Sequence, residues 1–354
     1  MSTAAAGASA ATRSDGAFVV YVANADSADI AILALDRADG ALREIDRFAT
    51  GGKVMPLAVR PGRRVLYASI RDEPYRILSL AIDPASGRLR QIGSAPLPAS
   101  MCWISTDRSG RFVLSASYGS SLVAVSPIDD GGVAGAALQV QPTEEKAHSI
   151  QATPDNRFAL AACLGGGVIR QMRFDAASGR LDDNAPLQWH ARPGAGPRHF
   201  VFHPQAPFVF LLNELDATLD ILAFDRERGT LRSTGAVVPL LPSGFAGGAP
   251  WAADLHLTPD GRFLYASERR SSTLSSFAID AATGALTLIA RIATEAEPRG
   301  FALSPDGRFL VAVGQASHRL SHYAIDAASG ALAQLGERPV GRNPNWVEIV
   351  DLAA

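Results

Sequence analysis

Two short patterns recur along this chain in step with one another, and together they leave few folds open. The first reads Asp, two or three small or polar residues, Gly, one residue, Leu, as in "DRADGAL", "DPASGRL", "DAASGRL", "DRERGTL", "DAATGAL" and "DAASGAL". These copies begin at Asp36, Asp83, Asp175, Asp225, Asp280 and Asp326, and a degenerate copy, "DDGGV", begins at Asp129. The second is a turn followed by an apolar run, as in "TPDGRFLYA" and "SPDGRFLVA", with first apolar residues Phe18, Val65, Phe112, Phe158, Phe208, Phe263 and Phe309. The first series steps by 47, 46, 46, 50, 55 and 46 residues and the second by 47, 47, 46, 50, 55 and 46. Two independent markers thus report seven units of one kind.

Within a unit the short β-branched and aromatic runs, broken by Pro, Asp, Asn and Gly, are those of strands, and no stretch has the period of an amphipathic helix. About 46 residues hold four short strands, which is one propeller blade. The sequence therefore predicts an all-β, seven-bladed β-propeller with four antiparallel strands per blade. The chain starts inside a blade: Phe18 opens a second strand, and the innermost strand missing there is supplied by "NPNWVEIV", residues 343–350. The C-terminal strand is expected to close the ring. Residues 1–15 read as a disordered tail and 16–354 as a single propeller domain.

Alternation of strands sorts the loops onto two faces. Starts of innermost strands share one face with the loops between second and third strands, and the "DAASGAL" turns lie on the other. The first face collects His148 of "AHSIQA", Arg198 and His199 of "GAGPRHFVFHP", Asp254 of "WAADLHL" and Arg299 of "PRGFAL". Its other loops add Glu214 of "NEL", Glu268 and Arg269 of "SERR", and Gln315 and His318 of "GQASH". Both long spacings fall before innermost strands, in "ARPGAGPRH" and "LPSGFAGGAPW", so the extra chain lies over the same mouth. Ligand sites live on such loops.

Each residue also has a plainer reading. His148 can be a structural histidine, and the arginines can tie blades together through Glu214, Glu268 or Asp254. His190, His203 and His322 read as structural or solvated, and "CLGGGV" as a tight hairpin rather than a phosphate loop. Asp254 and His256 point to the same side of one strand, but too few carboxylates accompany them for a metal site. It is convergence on one mouth that favours function.

Composition narrows the partners. A net charge of -2 gives no basic footprint for nucleic acid. No apolar run is long enough to span a membrane, and the N-terminus lacks the pattern of a signal peptide. Cys102 and Cys163 have no metal-site spacing and read as buried thiols, which makes the cytoplasm the expected compartment. The sequence assigns no oligomeric state, and a monomer suffices for the ring.

The strings "GPRHFVFHP", "NELDATLDI", "WAADLHLTPDGRFLYA", "PRGFALSPDGRFLVAVGQASH" and "VGRNPNWV" resemble the bacterial 6-phosphogluconolactonases of the seven-bladed propeller kind, over about residues 18 to 350. The wider group includes carboxymuconate lactonizing enzymes. The resemblance implies hydrolysis of a phosphorylated sugar lactone in the pentose phosphate pathway, with no metal or other cofactor. It also implies a catalytic set of His148, Arg198, Glu214 and Arg269. Where relatives read Asp-Arg this chain has Glu268 before Arg269, with Arg270 following, which leaves the choice of arginine open. Geometry adds His199, Asp254, Arg299, Gln315 and His318 as expected substrate-binding residues.

His148 and Glu214 suit a base and its partner, and guanidinium groups suit a phosphate and a developing oxyanion. Which arginine serves which group stays open. No nucleophile elbow or Cys-His pairing calls for a covalent intermediate. Two other readings share the mouth: a muconate-type cycloisomerase, and a ligand-binding propeller without catalysis.

Overall fold

The computed structural model describes residues 16–62 and 64–353. The reading of residues 1–15 as a disordered tail lies outside them. Among the described residues there is no α-helix, and the strands form seven antiparallel sheets of four, the blades of a β-propeller. Blade 1 takes its innermost strand from Pro344–Val350, which pairs with Ala17–Asn24. The expected closure of the ring is therefore observed. Innermost strands of blades 2 to 7 are Val54–Val59, Trp103–Thr106, Ala147–Ala152, Pro197–Phe202, Ala252–Leu257 and Pro298–Leu303.

The apolar core is divided into wedges between blades, each cluster drawing on two neighbours. Blades 4 and 5, for example, share Leu160, Ile169, Phe200, Leu211 and Phe224. A sheet flanked on both faces needs apolar residues at every position of its inner strands. That is why Ala17–Asn24 is a continuous buried run, whereas the outermost strand Leu332–Pro339 alternates towards solvent.

The two sequence series turn out to be two halves of one contact between blades. The glycine of each turn sits on the first apolar residues of the preceding blade's second strand. A Cβ on Gly179, Gly229 or Gly330 would lie within 2.4 Å of the ring of Phe112, Phe158 or Phe263 respectively, and Gly40 meets Phe309 across the ring closure. At Gly229 a side chain is doubly excluded, because its φ of +66° also belongs to the left-handed region. The arginine of the other turn then binds the same loop: Arg262 Nη1 donates to Ala327 O (2.9 Å) and Arg308 Nη1 to Arg37 O (2.8 Å).

The opposite face is built by register breaks. In six of the seven blades the innermost strand starts with a β-bulge. The residues left out of register are His148, Arg198, Arg299 and Asn345 singly, with Met55–Pro56 and Ala253–Asp254 as pairs. A bulge re-aims a side chain without ending the strand. Here it answers how costly polar residues can precede apolar strands: they are turned out of the wedge cores and into the mouth.

Candidate active site

Four of the expected residues meet at the mouth through shared partners. Arg198 Nε donates to Glu214 Oε2 (2.7 Å), and Arg269 Nη2 donates to the same oxygen (2.9 Å). Arg198 and Arg269 are 1% and 2% exposed and Glu214 9%, so this is a desolvated two-to-one cluster with an excess positive charge. Such a cluster is a poor way to gain stability. Arg198 is pinned further by Ala253 O and by His199 Nε2, 3.1 Å from its Nη1. Arg269 also donates to Trp251 O and Ala252 O and lies 3.8 Å from the Trp251 ring centre.

Trp251 ends the long insertion before blade 6, so the extra chain presses Arg269 into place. This packing sets the two consecutive arginines apart. Arg270 is exposed and reaches Ala249 O. Glu268 is wholly buried and accepts from Trp251 N (2.6 Å), Ser271 N (2.6 Å) and Ser271 Oγ (2.7 Å), so it braces the loop.

His148 is 4% exposed, with ring contacts to His199 (5.0 Å) and Tyr118 (5.9 Å). Its Nδ1 is buried and has no hydrogen-bond partner among the described residues. Burial first, then chiefly the positive charge of Arg198, holds the ring well below the usual histidine range. His148 is thus a neutral imidazole with a nitrogen in reserve. Glu214 is pushed up by burial but pulled below the ordinary carboxylate range by Arg198 and then Arg269. It stays an anion.

Beneath this cluster His199 is 2% exposed, and its Nδ1 lies 2.9 Å from Asp254 Oδ1. A carboxylate can only accept, so Nδ1 carries the proton and Nε2 accepts from Arg198. Burial, then Arg198, lowers His199 to about 3. Asp254 also accepts from His256 Nε2 (3.2 Å). Asp254 and His199 therefore form a floor under the arginines, with Trp103 (4.6 Å) and Trp346 (6.3 Å) around the imidazole.

A cavity of about 300 Å³ continues below this floor, past His256 and Glu348 to Thr106 and Arg108. Glu348 accepts from Trp346 Nε1 (3.0 Å), and burial pushes it up to about 7. Among the described residues no three His, Cys, Asp or Glu side chains form a metal-binding group.

Gln315 and His318 are not brought to this cluster. Gln315 Nε2 donates to Asn343 Oδ1 (2.7 Å), and His318 Nδ1 accepts from Asn343 N (3.1 Å). Both are taken up by the lead-in to the closing strand, which the sequence placed at the C-terminus without revealing that it crosses these loops. Arg299 does reach the mouth, and Gly300 after it allows the approach: a Cβ there would lie 2.6 Å from Asn345 O. Sequence reasoning passed over Arg71 of "IRDEP" and Trp251, although both stand in mouth loops that the strand alternation had already singled out.

The family described as "Lactonase, 7-bladed beta-propeller" matches residues 11–349. The chain belongs to the seven-bladed β-propeller lactonase family. Within that family it is 39% identical over 334 residues to a protein of Pectobacterium carotovorum named 6-phosphogluconolactonase, covering 94% of this chain and 99% of the relative. A Serratia proteamaculans protein of the same name is 39% identical over 332 residues, covering 94% and 98%. Among solved structures, the Pseudomonas aeruginosa periplasmic gluconolactonase superposes with a TM-score of 0.89 at 30% identity, covering 95% of this chain and all of that one. No helix of this lactonase-family chain, among the described residues, is long and apolar enough to cross a membrane.

Proposed function

We propose that the chain hydrolyses 6-phosphogluconolactone to 6-phosphogluconate in the oxidative pentose phosphate pathway, with the chemistry at the mouth. The observation that carries this reading is the pair of buried arginines sharing Glu214 beside a neutral, unpartnered His148 nitrogen. The relatives named 6-phosphogluconolactonase support the choice of substrate.

In this reaction water oxygen bonds to the lactone carbonyl carbon, and negative charge gathers on the carbonyl oxygen. The bond to the ring oxygen then breaks, and that oxygen takes a proton. His148 is the proton acceptor in this scheme, being unprotonated at neutral pH. Arg198 and Arg269 face the developing oxyanion, and Glu214 holds both guanidinium groups in position before substrate arrives. The Asp254–His199 pair fixes the far side of Arg198. No step requires a covalent intermediate.

We propose the cytoplasm as its compartment, since a phosphorylated sugar lactone is an intracellular metabolite in this reading. Buried, unpaired Cys102 and Cys163 fit that compartment. The deciding experiment follows lactone loss at fixed pH above the spontaneous rate, offering 6-phosphogluconolactone, gluconolactone and a carboxymuconate in parallel. Catalysis with preference for the phosphorylated lactone is expected. Turnover of the muconate alone would favour the cycloisomerase reading, and no turnover at all a binding protein.

A further inference from the structure

The hydrogen-bonded network under the mouth does not stop at Asp254. His256 shares a strand face with that carboxylate, lines the cavity below the floor, and has no part in the chemistry described so far. It is joined to Arg198 all the same. His256 Nε2 lies 3.2 Å from Asp254 Oδ2, Asp254 Oδ1 lies 2.9 Å from His199 Nδ1, and His199 Nε2 lies 3.1 Å from Arg198 Nη1. The His256 imidazole is itself held in place, its ring centre 4.8 Å from that of Phe301 on the innermost strand of blade 7. Its side chain is 39% exposed, against 10% for Asp254, so these bonds run from the mouth through the floor to a group that solvent reaches from the cavity.

The links depend on one another. For His199 Nε2 to accept from Arg198 the ring must be neutral, because an imidazolium would set a second N–H against the guanidinium. The groups that face His199 are Arg198, His148, Asp254 and Arg299, the last without a hydrogen-bond partner of its own among the described residues. Of these only Asp254 favours the charged ring. A carboxylate bonded to one imidazole turns its whole pull on that ring, and one set between two imidazoles divides it. Apart from His256, Asp254 Oδ2 has only Phe301 N, at 3.5 Å. On its other side His256 faces Glu348, whose carboxyl accepts from Trp346 Nε1 (3.0 Å).

We propose that His256 is a positioning residue for the reaction: by bonding the second oxygen of Asp254 from the cavity side, it keeps His199 a neutral acceptor and so holds the Arg198 guanidinium at the lactone carbonyl. The inference rests on the lactone-hydrolase reading. His256 acts in it without touching substrate.

The experiment compares the parent chain with His256→Leu, which removes the donor, and His256→Gln, which keeps an N–H for Asp254. Nitrogen NMR of the labelled histidine rings, with the His199 signals identified by their loss in His199→Asn, reads tautomer and titration without turnover. In the parent, His199 should carry its proton on Nδ1 and stay neutral down to about pH 5. In His256→Leu its titration midpoint should rise by about one pH unit or more. On 6-phosphogluconolactone, kcat should fall by roughly tenfold in that variant, a fraction of the cost of losing an oxyanion donor outright, with KM little changed. His256→Gln should bring both readouts back towards the parent's, a rescue that a lost packing contact would not give. A parent His199 with its proton on Nε2, or charged at neutral pH, overturns the inference before any variant is made. So does a His256→Leu chain with the parent's kcat or the parent's His199 midpoint, and so does an equal loss in both variants. These outcomes leave the hydrolase reading standing, whereas a parent that turns over no lactone overturns that reading and this inference together.

Discussion

The two faces of this propeller are built from the same strands and follow opposite rules. On the turn face one contact is repeated around the ring, a glycine seated on an aromatic or branched residue of the blade before it. On the mouth face six of the seven blades begin with a bulge, yet what the bulge presents differs from one blade to the next: Met-Pro, histidine, arginine, Ala-Asp, arginine, asparagine. Uniformity keeps seven wedges at one angle so that the ring closes. Variation at one end of those wedges then gathers unlike charges at a single point.

The contrast can be broken most severely at the closure itself. Removing Pro344–Val350 leaves Ala17–Asn24 as an exposed, largely apolar sheet edge, and such edges aggregate. Expression of the truncated chain should give insoluble protein, checked by sedimentation and by loss of the melting transition. A soluble chain with the parent's melting transition would mean that the ring closes elsewhere.

Next in size is the turn face. Gly229→Ala places a methyl group 2.2 Å from Phe158 at a φ of +66°, and overpacking with backbone strain costs about 1–3 kcal/mol. Urea titration should show that loss, while kcat/KM of the folded fraction stays at the parent's value. On the mouth face the pattern reverses. Trp251→Ala removes the ring under Arg269, and loss of a desolvated cation–π contact of about 2 kcal/mol corresponds to roughly thirtyfold. That decrease should appear in kcat/KM with only a small change in melting temperature.

The smallest effect is in pH. His148 and His199 are held unprotonated in the fold and return to about 6.5 when unfolded. Below pH 6.5 the unfolded chain therefore binds protons that the native chain refuses, and stability falls as pH is lowered. Glu348 opposes this between its unfolded value near 4.5 and about 7, where its contribution is lost as pH rises. Two histidines outweigh one carboxyl, so the melting temperature should drop from pH 6.5 to 5. In His199→Asn the drop should be shallower by up to about 1.4 kcal/mol per pH unit. The same downward shift of His148 should keep kcat/KM level down to pH 6, with its acid limb below the ordinary histidine range.

The ring was legible in the sequence because its repeats are physical contacts: Gly229 and Phe158 must each recur for neighbouring blades to dock. Strand alternation likewise carried His148, Arg198, Glu214 and Arg269 to one face. It did not separate Arg269 from Arg270, because the ring of Trp251 is brought in by an insertion without a counterpart in the other blades. Nor did it show what Gln315 and His318 would bond to. Their loop faces the mouth, but Asn343 arrives from the far end of the chain and occupies them. Register breaks leave no mark in spacing, so the committed Arg198 and the unpaired Arg299 looked alike.

The measurement closest to the central claim is kcat/KM for 6-phosphogluconolactone in His148→Ala, corrected for spontaneous hydrolysis and paired with a melting curve. With the ring held by the turn face and the proton handled at the mouth, the expected result is a loss of roughly a hundredfold or more with cooperative melting retained. Turnover near the parent's value on well-folded protein would remove His148 from the chemistry and contradict the division between the two faces.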